Sequence, residues 1–257
     1  MSVHPADSEI FGSVFGTDAV RRIFSDEHFI GCMQEVEGAL ARAEAQVGLI
    51  PLAAGRAISD VSKSLRVDAR ELAASTARTG MPVVGLLAAL RASLAPEHAR
   101  YVHFGATTQD IIDTATILQL REALECIEGD LRGVASALVS RAEAHRATLM
   151  VGRTFLQHAA PITFGYKCAL WLSPLLDHLQ RLTDLRRRVL MVQLGGAVGN
   201  LAAFGANGRA VVERLAEELG LGCPVTPWHA VRNGIAEVGS FLGLLCGSLA
   251  KLGHDVI

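Results

Sequence analysis

The stretch Leu120-Arg-Glu-Ala-Leu-Glu-Cys-Ile-Glu-Gly-Asp-Leu-Arg-Gly-Val-Ala-Ser-Ala-Leu138 decides the fold. Its apolar residues Leu120, Leu124, Ile127, Leu131, Val134 and Leu138 alternate spacings of four and three, which puts them on one stripe of a helix. Followed outward, the pattern predicts a helix from near Thr108 to about Arg146. A second long helix is predicted from Pro161, a good first-turn residue, to about Gln193, with a kink or local break at Pro174. A third begins near Val231, where Ile235, Val238, Leu242, Leu245, Leu249, Leu252 and Val256 repeat the same spacing. Long helices with apolar stripes are not stable alone and need a bundle.

The first half of the chain is more finely divided. Gly48, Gly80 with Pro82, and Pro96 bound shorter predicted helices at 26–48, 68–79 and 83–94. Val, Ile and Thr form no alternating runs, so no strand is expected. The expected architecture is all-α: a helical N-terminal region over residues 1–105 and a long-helix bundle over 106–257.

Composition narrows the function classes. Half of the 257 residues are hydrophobic and 19% are charged, which excludes a disordered chain. With 24 Lys+Arg against 26 Asp+Glu the net charge is −2, not the footprint of a general nucleic-acid binder. Cys32, Cys126, Cys168, Cys223 and Cys246 are scattered, with no Cys-x-x-Cys pair, and fit neither a disulfide framework nor a zinc site. Free thiols in a reducing cytosol are expected. The start, Met1-Ser-Val-His-Pro-Ala-Asp7, has no basic and apolar regions of a secretory signal. The most apolar stretch, Val238–Ala250, reads as too short for a bilayer, which needs about 20 residues, and as a buried helix of a soluble protein.

Polar residues gather where loops enter the three long helices: Tyr101-Val-His-Phe-Gly-Ala-Thr-Thr-Gln-Asp110, Gly152-Arg-Thr-Phe-Leu-Gln-His-Ala-Ala-Pro161 and Pro227-Trp-His-Ala-Val-Arg-Asn233. A helix N-terminus offers free N–H donors and about half a positive charge, so such places receive carboxylates or phosphates. Arg153 and Arg232 can pair bidentately with a carboxylate. Each residue also has a plainer reading. Thr107, Thr108 and Asp110 are ordinary capping residues, His103 and His158 could be hydrogen-bonded interior histidines, Arg153 could cap a carbonyl, and Trp228 could be core. Gly195-Gly-Ala-Val-Gly199 follows a helix rather than a strand and reads as a turn, not a phosphate loop.

The first of these segments continued through Ile111-Ile-Asp-Thr114, the second, and the third as far as Arg232, with Val192-Gln-Leu-Gly-Gly-Ala-Val-Gly199, Ile23-Phe-Ser-Asp26 and Glu37-Gly-Ala-Leu-Ala-Arg-Ala-Glu44, resemble the fumarase/aspartase superfamily in the order it uses them. Within it the chain is most similar to the bacterial 3-carboxy-cis,cis-muconate cycloisomerases. Adenylosuccinate lyases of the superfamily carry a His as general acid directly after the Arg-Thr of the second motif; here that position is Phe155, which cannot transfer a proton. They also carry Lys-His-Asp where this chain has Thr79-Gly-Met-Pro82.

The resemblance implies a tricarboxylate substrate, no metal or organic cofactor, no nucleic-acid or membrane partner, and a cytoplasmic homotetramer with active sites shared between subunits. Its catalytic candidates are His103, Thr108 and His158; its substrate-binding candidates are Thr107, Gln109, Arg153, Thr154, Gln157, Trp228, His229 and Arg232. Asn233 stands where the family has Asp. The last helix keeps its stripe to Val256 with no C-cap after it. The family's mobile loop, Gly-Ser-Ser followed by Met-Pro-x-Lys-x-Asn-Pro, is therefore expected beyond Ile257. It would supply a serine as general base.

Overall fold

The computed structural model describes residues 4–257, so the first three residues of the leader reading lie outside it. Among the described residues the fold is all-α apart from one β-hairpin and an isolated bridge between Met191 and Gly222. Two short helices, α1 (Gly12–Phe15) and α2 (Asp18–Ile23), precede α3 (Asp26–Gln46). Then come α4 (Leu52–Ser64), α5 (Ala69–Thr79), α6 (Pro82–Ala92) and α7 (Pro96–Ala99). The long helices are α8 (Thr108–Ala144), α9 (Phe164–Val189) and α11 (Asn233–Val256), with α10 (Gly208–Leu219) before the last. Strands β1 (Leu149–Thr154) and β2 (Gln157–Thr163) pair antiparallel between α8 and α9.

Local chemistry sets most boundaries. The Ser25 hydroxyl accepts from the N–H of His28 at 3.2 Å and opens α3, with Asp26 and Glu27 in its first turn. Asp68 caps α5 in the same way, and Gly80, at φ 76°, ends it in the left-handed conformation that a glycine adopts without strain. Pro82 occupies the first turn of α6.

The chain packs as two units. The first runs to Ala123 and includes Leu190–Arg232; the second holds Leu124–Val189 and Asn233–Ile257. This division falls inside α8, whereas the change in sequence character falls near residue 105.

In the first unit, α3 is the central element. Met33, Val36, Ala39, Leu40 and Ala43 are buried along it, facing Ala54 and Ile58 of α4 among others. The two helices approach so closely that a Cβ on Gly55 would lie 2.6 Å from the Ala45 methyl and 2.9 Å from the Ala41 carbonyl. Arg42 and Gln46 both bond Glu218 of α10 at 2.7 Å, and Arg121 of α8 caps that helix by donating to the Leu219 carbonyl at 2.8 Å. The α8 residues of this unit are buried on several sides, with Ile111, Asp113, Thr114, Ala115, Ile117 and Leu118 all inside.

In the second unit α9 and α11 run antiparallel, since the contacts Arg188–Glu237, His178–Ser248 and Trp171–Asp255 occur in opposite chain order. Helix α9 continues through Pro174 rather than breaking there. The missing proline N–H leaves the carbonyl of Leu170 without its usual bond, and Leu170 is exposed, so water can supply it.

Two expectations are corrected here. The expectation of no strand, with the second motif as a loop entering a helix at Pro161, fails: the segment is a hairpin whose second strand runs to Thr163, with the helix opening at Phe164. The last apolar stretch was expected to be short and buried. The helix has 24 residues, about 36 Å, and is long and apolar enough by length and composition to cross a membrane. Only Val238, Phe241 and Leu245 are buried along it, while Leu244, Leu249 and Val256 are exposed.

One buried acid on α3 stands out. Glu44 is 1% exposed and neither of its oxygens has a hydrogen-bond partner. Burial, reinforced by the charge of Glu37 two turns back, pushes its pKa up to about 9. An unfolded glutamate titrates near 4.3, so above that pH the folded state keeps a proton that the unfolded state has lost. The contribution to stability is therefore full at acid pH and declines as pH rises toward about 9. Glu44→Gln removes this term: the Tm difference between variant and parent is expected to grow in the variant's favour between about pH 5 and pH 9, as read by thermal melts across that range.

Candidate functional site

The site is built around the first turn of α8. Thr107 precedes the helix, Thr108 and Gln109 begin it, and Asp110 follows one step inside. Asp110 has no exposed surface, and its carboxylate accepts four N–H bonds: Thr107 N at 2.9 Å, Gly195 N at 3.0 Å, Gly196 N at 2.9 Å and Gln193 Nε2 at 2.9 Å. The bond to Thr107 is the reach-back of a capping acid. The other three fasten the helix start to the glycine turn. Burial pushes the Asp110 pKa up, and the four donors pull against that by favouring the charged form. The Gly195-Gly196 amides thus bind an acidic side chain of the protein itself, in keeping with the turn reading of that segment.

Two glycines let these backbones meet. Gly105, at φ 70°, lies so close to the Phe204 ring that a Cβ would be 2.8 Å from it, and a Cβ on Gly196 would be 2.9 Å from the Gly105 carbonyl.

Gln193, also fully buried, joins the third polar segment to this turn. Its Oε1 accepts from Trp228 N at 2.6 Å while its Nε2 donates to Asp110, and His229 Nδ1 lies 3.3 Å from the same nitrogen. Its backbone exchanges two bonds with the Thr114 hydroxyl, at 2.9 and 3.0 Å. The Trp228 indole donates to the Val192 carbonyl at 2.9 Å and is half-buried, so it is a bonded wall rather than core.

Asp113, one turn after Gln109, accepts from Gln109 Nε2 at 2.8 Å and from Arg232 at 2.6 Å. Arg232 also lies over the Trp228 ring, 5.3 Å from its centre, and its side chain remains 45% exposed, which leaves guanidinium surface for a ligand. The hydroxyls of Thr107 and Thr108 make no hydrogen bond with the protein. A helix N-terminus, two free hydroxyls, a carboxamide and a half-exposed guanidinium are the donor set that a carboxylate-rich ligand needs.

His103 sits four residues before this turn with φ 63°, a conformation rare for residues with a Cβ. Its Nδ1 is 2.6 Å from Glu37 Oε1.

The structure thus brings together His103, Thr107, Thr108, Gln109, Trp228, His229 and Arg232 in the first unit. The other four candidates lie on the hairpin of the second unit, where Arg153 faces His158 and Thr154 faces Gln157 across the strands. All four are exposed, so His158 is not interior within this chain, and the Arg153 side chain caps no carbonyl there. The turn between them, Phe155-Leu156, has φ 46° and 59° with both side chains at least 95% exposed. Sequence reasoning did not place Asp113, Gln193 or Glu37 in the site. The only signal was their position inside the quoted motifs. Among the described residues no group of three or more His, Cys, Asp or Glu side chains is arranged to hold a metal ion.

Comparison with known proteins gives this fold and site a class. The profile of a family described as Lyase matches residues 14–257, and the chain belongs to that family. A curated relative, the 3-carboxy-cis,cis-muconate cycloisomerase of Pseudomonas putida, is 46% identical over 97% of this chain and 60% of its own length. The crystal structure of the 3-carboxy-cis,cis-muconate lactonizing enzyme from Pseudomonas putida superposes with TM-score 0.92 at 46% identity, over 96% of this chain and 57% of that one. The β-carboxy-cis,cis-muconate cycloisomerase from Acinetobacter calcoaceticus gives TM-score 0.93 at 40% identity, over 96% and 58%. The chain therefore spans a little over half the length of the relatives it matches.

The Asp110 latch is testable. Asp110→Asn sets an NH2 group against N–H donors and is expected to lower stability by about 2–4 kcal/mol in urea denaturation.

Proposed function

We propose that the complete protein is a 3-carboxy-cis,cis-muconate cycloisomerase, interconverting that tricarboxylate with its lactone in aromatic-acid catabolism. The observation that carries the reading is the open donor set at the start of α8, with the Thr107 and Thr108 hydroxyls free of protein partners, in a chain 46% identical to a relative with this activity.

In the reaction one carboxylate oxygen adds across a double bond of the diene. A proton goes to the carbon alpha to another carboxylate, through an intermediate with extra negative charge on that carboxylate. Preorganised donors stabilise such charge more in the transition state than in the ground state. The α8 N-terminus, with the Thr107 and Thr108 hydroxyls, Gln109 and Arg232, takes that role. His103 and His158 are the groups able to move a proton near neutral pH. The exposed Phe155 at the hairpin tip has no proton to give, which argues against the adenylosuccinate type of lyase.

The assembly proposed is a cytoplasmic homotetramer with shared sites. Its support is the uncovered apolar surface of Leu244 and Leu249 on α11 and Leu170 and Leu176 on α9. A hairpin tip that exposes Phe155 and Leu156 in strained backbone also suits insertion into a second copy. The five free thiols suit a reducing compartment.

Ultraviolet absorption of the conjugated diene tests the activity: the complete protein is expected to remove it on mixing with 3-carboxy-cis,cis-muconate. Release of fumarate from argininosuccinate without diene loss would reassign it to a related lyase. No thermal protection by any tricarboxylate would leave a non-catalytic helical assembly protein. His158→Ala is expected to cut turnover by about 100-fold or more; unchanged turnover removes His158 from the mechanism. Leu244→Glu is expected to shift the assembly to smaller species in light scattering after size exclusion, because it places a charge on the surface to be buried.

A further inference from the structure

The buried carboxylate of Glu37 touches His103, and its task in the site has not been assigned above. It lies inside α3, 66 residues from His103, with no side-chain exposure, while the His103 side chain is 10% exposed. The Nδ1–Oε1 separation of 2.6 Å is short for a nitrogen–oxygen hydrogen bond. The second Glu37 oxygen is buried and has no partner.

Such a group is a poor choice for stability. A buried carboxylate with one oxygen unpaired is disfavoured relative to an apolar residue of the same size. His103 adds a second unfavourable feature, a left-handed backbone at a residue with a Cβ. Two local disadvantages meeting at one contact, beside the helix start that carries the free hydroxyls, mark a functional arrangement.

We infer that Glu37 is a positioning residue that fixes His103 in the Nδ1–H tautomer, so that Nε2 is the nitrogen that exchanges protons at the site. This rests on the reading of the site as one for proton transfer to a carboxylate-bearing substrate. A carboxylate only accepts, so contact with Nδ1 puts the hydrogen on that nitrogen and leaves the lone pair on Nε2. When Nε2 takes a proton, the imidazolium forms already paired with Glu37. The proton later leaves from the same Nε2, and Glu37 gains none. Glu44, in the same core, is held protonated across the neutral range by burial and by the nearby Glu37 carboxylate.

The experiment uses the complete protein with 15N-labelled histidine, and the variants Glu37→Gln and Glu44→Gln. The wild type is expected to show a His103 Nδ1–H resonance far downfield of the amide region and an unprotonated Nε2 at high pH. Glu37→Gln is expected to lose the downfield resonance and to lower kcat by about 100-fold or more with KM within about twofold and no fall in Tm. Glu44→Gln, in the same core, keeps both resonance and kcat. A neutral His103 carrying its proton on Nε2 overturns the inference on the wild type alone, even where a variant does not fold. So does wild-type kcat in Glu37→Gln, or an equal loss of kcat in Glu44→Gln. If the wild type turns over no carboxylate substrate, the cycloisomerase reading fails, while the resonance and its loss in Glu37→Gln still decide the pairing.

Discussion

The buried carboxylate of Asp110 is the constraint on which the site depends. It accepts from a capping N–H on its own helix and from three donors of the 193–196 segment, more than 80 residues away in sequence. A buried acid with that many donors can stay charged, and a charged acid there fixes two backbones at once. Because Asp110 satisfies the Thr107 N–H from within, the hydroxyls of Thr107 and Thr108 are left for a ligand. The glycines at 105 and 196 follow from the same closeness, since a Cβ at either would collide with the opposing segment.

Charge is balanced around this latch rather than left bare. Asp113 holds both Gln109 and one edge of Arg232, so the guanidinium is aimed, and the Trp228 ring lies against it. A pre-aimed cation loses less freedom on binding than a free one. Gln193 then ties the Trp228 backbone to Asp110 through one carboxamide. Candidate donors on two parts of the chain, the start of α8 and the 228–232 segment, are thus held by polar groups that do not themselves face solvent.

The second unit is organised differently. Antiparallel α9 and α11 bury one narrow face and are pinned by ion pairs and by Asp255, which takes bonds from Lys167, Lys251 and the Trp171 indole and so stays ionised well below the usual carboxylate range. The apolar stripe of α11 is wider than the face that α9 covers, which leaves Leu244 and Leu249 in contact with water. Burying that remainder is what the proposed assembly would gain.

The sequence by itself determined that three long helices exist and that the first opens at Thr108, because a period near 3.6 and a capping threonine are local properties that need no distant partner; the start of α9 was not among them, since the hairpin takes up Pro161. Thr107, Thr108, Gln109 and Arg232 were legible for the same reason: polar groups at a helix entrance announce themselves. The hairpin was not legible, since a strand shows its period only when one face is buried, and here almost every residue from Leu149 to Pro161 is exposed or only partly covered. Asp110 read as a simple cap, which accounts for one of its four bonds. The other three, the Asp113–Arg232 pair and the Glu37–His103 contact were decided only in the tertiary structure. Their partners lie 66 to 119 residues apart, and nothing in local spacing encodes a meeting that packing alone brings about.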